Sequence, residues 1–173
     1  MLLGILILLA GGFVWLSNPD LKQSQIVKIP TQIKQDSSKT ESASVLYVVD
    51  GDTLKVLINN KEETVRLIGM DAPEINDSKK VQCFGQEAAS KAKEILTGKT
   101  VILESDFTQG ERDQYGRLLR YVFLDGLNFD KMMIGEGLAR EYTFKNKVYK
   151  YQTEFIQAEQ EARKNKIGLW KAC

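Results

Sequence analysis

The chain of 173 residues reads as an α+β fold: a small closed five-stranded barrel carrying three helices, preceded by an N-terminal apolar segment and a linker. Three observations predict it. Five short apolar or alternating runs are bounded by turn residues, as strands are. Three longer stretches repeat apolar residues at helical spacing. Both sets follow a segment too polar to share their core.

Residues 1–16 (MLLGILILLAGGFVWL) carry no charged side chain. The run is short for a membrane span of about 20 residues and long for a soluble strand. No Lys or Arg precedes it, and Ala10-Gly11-Gly12 fits the small-residue cleavage rule only loosely. The expectation is an N-terminal transmembrane anchor or signal segment over 1–17, with the anchor favoured over a cleaved signal. Residues 18–43 are rich in Ser, Gln, Lys and Thr and hold Pro19 and Pro30. They are expected to form a disordered linker, leaving a folded domain over 44–173. The domain is then expected outside the cytoplasm, membrane-anchored or secreted, and monomeric.

Ser44–Val49 and Thr53–Ile58 flank Asp50-Gly51, a hairpin signal. Glu63–Ile68 follows the polar turn Asn59–Lys61, and Thr100–Ser105 and Leu118–Leu124 complete the five strands, with Asp125-Gly126 turning the chain after the last. Gln86–Leu96 places Ala88, Ala89, Ala92, Ile95 and Leu96 at helical spacing before Gly98. Asp130–Glu136 is a short second helix stopped by Gly137. The third runs from about Tyr149 to Asn165, with Tyr151, Phe155, Ala158 and Ala162 on one face. Five short strands with helices between and after them suit a barrel of the OB type.

Composition narrows the chemistry. With 43% hydrophobic and 27% charged residues, a packed core is possible. The absence of histidine excludes Ser-His and Cys-His nucleophile pairs and His-ligated zinc; two cysteines cannot make a four-cysteine zinc site. Carboxylates, Arg, Lys, Tyr and a hard metal ion remain. Net charge is +1, and four of the 24 basic and three of the 23 acidic residues precede Val45, leaving 20 of each in the domain. A polyanion must therefore be held by local basic groups and not by a global field.

The charged residues gather where strands end. Asp50-Gly51-Asp52-Thr53 puts two carboxylates in one turn, Arg66 lies among apolar neighbours in a strand, Asp71-Ala72-Pro73-Glu74 follows that strand, and Asp113-Gln114-Tyr115-Gly116-Arg117 opens the fifth. A strand arginine is costly to bury unless its charge is paired. Carboxylate oxygens suit Ca2+ or Mg2+, and two guanidinium forks suit a phosphate.

With these segments in view, the chain from Ser44 to Trp170 resembles the thermonuclease (staphylococcal nuclease-like) family. The motifs that carry the resemblance are VVDGDT (48–53), VRLIGMDAPE (65–74), CFGQEA (83–88), DQYGRLLRYV (113–122), GEGLA (135–139) and KIGLW (166–170). The resemblance implies an OB-fold barrel with three helices and a calcium-dependent phosphodiesterase that cuts DNA and RNA to products with 3′-phosphates. It implies Asp52 and Asp71 as metal ligands with the main-chain carbonyl of Ala72, and Glu74 as the residue that orients or deprotonates the attacking water. Arg66 and Arg117 correspond to the phosphate-gripping arginines, and Tyr115 to a tyrosine that touches a terminal phosphate. Two departures stand out. Gln114 occupies a position where a lysine often assists that phosphate. The stretch after Ala139 is shorter than in the best-known member, so the base-stacking aromatic is Tyr142 or Phe144. Lys79 and Lys80, after Glu74, are candidate backbone-contacting groups.

Cys83 and Cys173 are expected to form a disulfide that ties the C-terminal tail to the barrel; the alternative is two reduced thiols. On the chain-entropy model a loop of about 90 residues stabilises by roughly 4–5 kcal/mol, in an oxidising compartment. The principal alternative to a nuclease is a non-catalytic OB-fold module that binds nucleic acid through aromatic side chains and a basic groove. A pure binder has no need of Asp52, Asp71 and Glu74 beside a phosphate.

Overall fold

The computed structural model describes residues 38–75 and 81–173. Strand β1 (Thr40–Asp50) turns at Gly51-Asp52 into β2 (Thr53–Ile58), antiparallel to it. Asn59 and Asn60 then adopt φ of 50° and 64°, the left-handed pair that closes a two-residue hairpin, and lead into β3 (Lys61–Leu67). A two-residue strand β4 (Met70–Asp71) precedes helix α1 (Gly85–Leu96). Strand β5 (Thr100–Glu104) returns antiparallel to β1, and β6 (Leu118–Leu124) lies antiparallel to β5. Parallel pairing of β6 with β3, from Val65↔Leu118 to Leu67↔Arg120, closes the five-stranded barrel. The chain continues through β7 (Leu127–Asn128), α2 (Phe129–Gly135), β8 (Arg140–Glu141), α3 (Gln152–Lys164) and α4 (Leu169–Ala172).

The alternating faces of the strands supply the core. Val45, Leu54, Val56, Val65, Leu67, Leu103 and Tyr121 fill the barrel, and Ala88, Ala92 and Leu96 of α1 pack against it. Phe155 of α3 is fully buried and meets Tyr121 edge-on at 6.2 Å, which seats α3 on the barrel. Gly51 is needed where it stands: a Cβ there would lie 2.5 Å from the Ala72 Cβ and 3.3 Å from that of Ala88. The turn that carries Asp50 and Asp52 is thus pressed onto Ala72 and α1.

The five strands and three helices expected from the pattern are all present, and the differences have physical causes. β1 begins at Thr40 and not at Ser44, so residues 40–43 belong to the barrel and not to the linker. They pair with Val101–Glu104, Ala43 is buried, and Glu41 accepts two hydrogen bonds from Arg120 at 3.1 Å. Those partners are distant in sequence. α3 begins at Gln152 because Tyr149 and Tyr151 turn into the aromatic cluster around Tyr121. β4 and β8 pair with each other, Asp71 opposite Arg140; two residues are too few to show a period. The disulfide is formed: Cys83 bonds Cys173, their Cα atoms 6.0 Å apart. The N-terminal anchor or signal segment and the linker up to residue 37 lie outside the described residues. Among those described, no helix is long and apolar enough to cross a membrane.

Candidate active site

The β1–β2 turn buries Asp52, which is 2% exposed. Its Oδ1 accepts from Thr53 Oγ1 at 3.0 Å and its Oδ2 from the Ala72 amide at 2.9 Å. The same Oδ2 lies 3.1 Å from Arg66 Nη2. Its neighbour Asp50 accepts from the Asp52 amide at 3.1 Å.

Arg66 projects from β3 toward the strand's end. Its Nη1 donates to the carbonyls of Leu67 (2.7 Å) and Met70 (2.8 Å), and its Nη2 donates to Asp71 Oδ1 (3.0 Å). One half-buried guanidinium therefore fixes the β3–β4 bend and bridges Asp52 and Asp71. A strand arginine here is affordable only because both carboxylates answer its charge. Asp71 is exposed at the end of β4, and Ala72 is buried behind it. The main chain of Glu74 is clasped by Gln82, whose amide donates to the Glu74 carbonyl (3.0 Å) and whose Oε1 accepts from the Glu74 amide (3.2 Å).

Arg117 opens β6. Its Nε donates to Asp113 Oδ2 at 2.7 Å, and its Nη1 reaches to 3.5 Å of Thr53 Oγ1, the hydroxyl bonded to Asp52. The ring of Tyr115 lies 5.4 Å from the Arg117 guanidinium carbon and is 74% exposed. A groove of about 610 Å³ runs past Arg66, Asp71, Arg112, Tyr115, Arg117, Tyr142, Phe144, Lys145 and Lys147. Tyr142 and Phe144 both open into it with ring centroids 6.4 Å apart, so the two stacking candidates form one aromatic wall.

The electrostatics tie these groups together. Burial and then the Asp52 charge push Asp50 up to about 6, with Glu74 adding to the rise. Burial raises Glu74, as do Asp52 and Asp71, while Arg66 and Arg117 pull it down. Asp71 is raised by burial, opposed by Arg66 and reinforced by Asp52. Four carboxylates thus share one small region with two guanidinium groups; burial is the first cause of the rise at Asp50, Asp71 and Glu74, and the Asp52 charge adds to it at all three.

Every donor in this cluster is a hard oxygen, which suits calcium or magnesium. Among the described residues no three acidic side chains close on one another as a metal cage. Arg66 is the reason for the central pair, since its Nη2 stands between Asp52 and Asp71. The set that the resemblance implies, two carboxylates and the Ala72 carbonyl, fits a cation chemically, and the charge of Asp52 beside Asp71 is what such a cation relieves.

The structure therefore brings together Asp52, Arg66, Asp71, Ala72, Glu74 and Arg117, with Tyr115 and Tyr142 along the adjoining groove. Lys79 and Lys80 lie outside the described residues. Sequence reasoning passed over Asp50 as a site residue although it shares the DGD turn, and Asp113 although it opens the DQYGR motif. Lys145 and Lys147 follow no motif; only the path of the chain after β8 takes them to the groove.

A surface that is anionic at its centre and cationic around it suits a phosphodiester together with a hard cation, and an OB barrel that bears one at its end falls in the class of phosphodiester-cleaving domains. Residues 64–172 match the family model described as staphylococcal nuclease homologue. The chain is 36% identical over 146 residues to endonuclease YncB of Bacillus subtilis (strain 168), covering 83% of this chain and 68% of that protein. It is 38% identical over 135 residues to the thermonuclease of Staphylococcus hyicus, covering 78% of each. The chain belongs to the staphylococcal nuclease family.

Proposed function

We propose that this protein is a calcium-dependent nuclease that hydrolyses DNA and RNA, within the chain and from its ends, to products with 3′-phosphates. The observation that carries this reading is the bridge of Arg66 Nη2 to both Asp52 (3.1 Å) and Asp71 (3.0 Å). It holds the two carboxylates and one guanidinium group at a single point.

Asp52 and Asp71, with the Ala72 carbonyl, would hold the calcium, which when bound neutralises charge on a nonbridging phosphate oxygen. Arg66 is the counter-ion of both carboxylates in the structure, and turning its Nη2 to a phosphate oxygen leaves them for the cation. Arg117 is anchored through Nε on Asp113, which leaves its Nη edge to meet equatorial oxygens as their charge grows. Glu74, raised by burial and then by Asp52 and Asp71, positions the water for attack in line with the departing 5′-oxygen and accepts its proton. Tyr115 touches a terminal phosphate, Tyr142 or Phe144 offers the face on which a base stacks, and Lys79 and Lys80 contact the substrate backbone. The Cys83–Cys173 disulfide supports a site of action outside the cytoplasm, on a membrane anchor or after secretion.

Incubation with plasmid DNA in Ca2+ and in excess EGTA tests the reading. Degradation in Ca2+ and none in EGTA is expected. Binding without cleavage would favour the non-catalytic module, and undiminished cleavage in EGTA would reject the calcium role.

A further inference from the structure

Glu63 on β3 and Arg112, just before the turn that opens β6, meet side by side where the barrel closes. Arg112 Nη1 donates to Glu63 Oε2 at 2.8 Å and Nη2 to Oε1 at 3.1 Å, a two-pronged fork. The same Nη1 donates to the Gly116 carbonyl at 2.7 Å. Gly116 sits in the turn that carries Tyr115 and Arg117, at a φ of +80° that favours glycine. Within that turn Asp113 Oδ1 accepts from the amides of Tyr115 (2.9 Å) and Arg117 (3.0 Å), and its Oδ2 accepts from Arg117 Nε. Asp113 thus fixes Arg117 to its own turn. Arg112 fixes the turn to β3, the strand that also carries Arg66.

We propose that Arg112, clamped by Glu63, is a positioning residue that sets the distance between the Arg117 and Arg66 guanidinium groups on the substrate phosphate. This rests on the reading of Arg117 as a phosphate-gripping group. Arg112 lines the groove, but its fork is spent on Glu63 and its Nη1 also on Gly116, so it acts through the turn. Ion pairs at the surface contribute little to stability; this one, in which Glu63 also meets Lys61, adds a bond from Arg112 into the turn of Arg117, which makes geometry its use. Displacement of a reacting group by about 1 Å costs on the order of 10²-fold in rate. Arg112 and then Lys61 hold the Glu63 carboxyl down at about 2, so the clamp stays charged over the working range of pH.

The test is a rate cycle in Ca2+ on a DNA oligonucleotide, with Glu63→Gln and Arg117→Lys alone and combined, and melting measured for each. Glu63→Gln is expected to lower kcat by about tenfold or more with a smaller change in KM, and to have no further effect once Arg117→Lys is present. A wild-type rate for Glu63→Gln overturns the proposal, since freeing Arg112 then does no harm. So does an equal loss in both backgrounds, because the effect would not pass through Arg117. Arg112→Lys keeps the charge and loses the fork, and gives the same reading should Glu63→Gln melt below the assay temperature. A wild-type rate for Arg117→Lys overturns the role of Arg117 itself, and the proposal with it; a slow Arg117→Lys beside a wild-type Glu63→Gln overturns the proposal alone.

Discussion

Asp130 lies fully buried on α2, where the charges of Arg66 and Asp52 reach it. One carboxyl oxygen accepts from the Val122 amide at 3.3 Å, and the other has no hydrogen-bond partner among the described residues. Burial pushes its pKa well above the usual carboxylate value of 3.8. An acid raised on folding keeps its proton in the native state after the unfolded chain has released it, so stability falls as pH rises above that value. The slope for one such group reaches about 1.4 kcal/mol per pH unit until the folded-state pKa is passed. Asp130→Asn should lack this slope, so urea unfolding from pH 4 to 8 should show the variant gaining on the wild type as pH rises. Parallel stability curves would show that Asp130 is ionised in the native protein. Other roles at this scale were legible in part. Asp52, Arg66, Asp71, Glu74 and Arg117 stand in recognisable motifs. That Arg66 is the shared counter-ion of Asp52 and Asp71 is not written there, because it depends on the direction of one side chain across a strand end.

The β1–β2 hairpin is the element that places the first two carboxylates, and close packing against Ala72 and α1 holds it. Gly51→Ala would put a methyl group 2.5 Å from the Ala72 Cβ. Relief requires the turn to move off Ala72, at about 1–3 kcal/mol for overpacking. Chemical denaturation should show that loss, with a fall in nuclease rate as Asp52 shifts; unchanged stability would mean that the turn has room the structure does not show. Alternation and turn dipeptides make such an element readable from sequence. They fail at β4 and β8, where two residues carry no period, and at the start of β1. There Thr40-Glu41-Ser42-Ala43 reads as polar linker because its partners, β5 and Arg120, lie far along the chain.

At the scale of the molecule, closure of the barrel does the converging. Parallel pairing of β3 with β6 brings Arg66 and Arg117, 51 positions apart in number, to one end, and the β1–β2 turn and β4 reach the same place. The disulfide then ties the C-terminus to Cys83, next to the residue that clasps the Glu74 main chain. The scattered motifs announce the family, and the fold shows why those that carry the site are scattered: VVDGDT, VRLIGMDAPE and DQYGR sit at the ends of β1, of β3 and β4, and at the start of β6. The most direct measurement of the resulting site is single-turnover cleavage of a 5′-labelled oligonucleotide in Ca2+ by wild type and by Glu74→Gln, with products resolved by their end groups. Removing one transition-state group costs about 10²–10³-fold in comparable enzymes. A loss at least that large, with unchanged melting and 3′-phosphate ends from the wild type, is expected; near wild-type cleavage by Glu74→Gln would contradict the assignment of the water-activating carboxylate and with it the site.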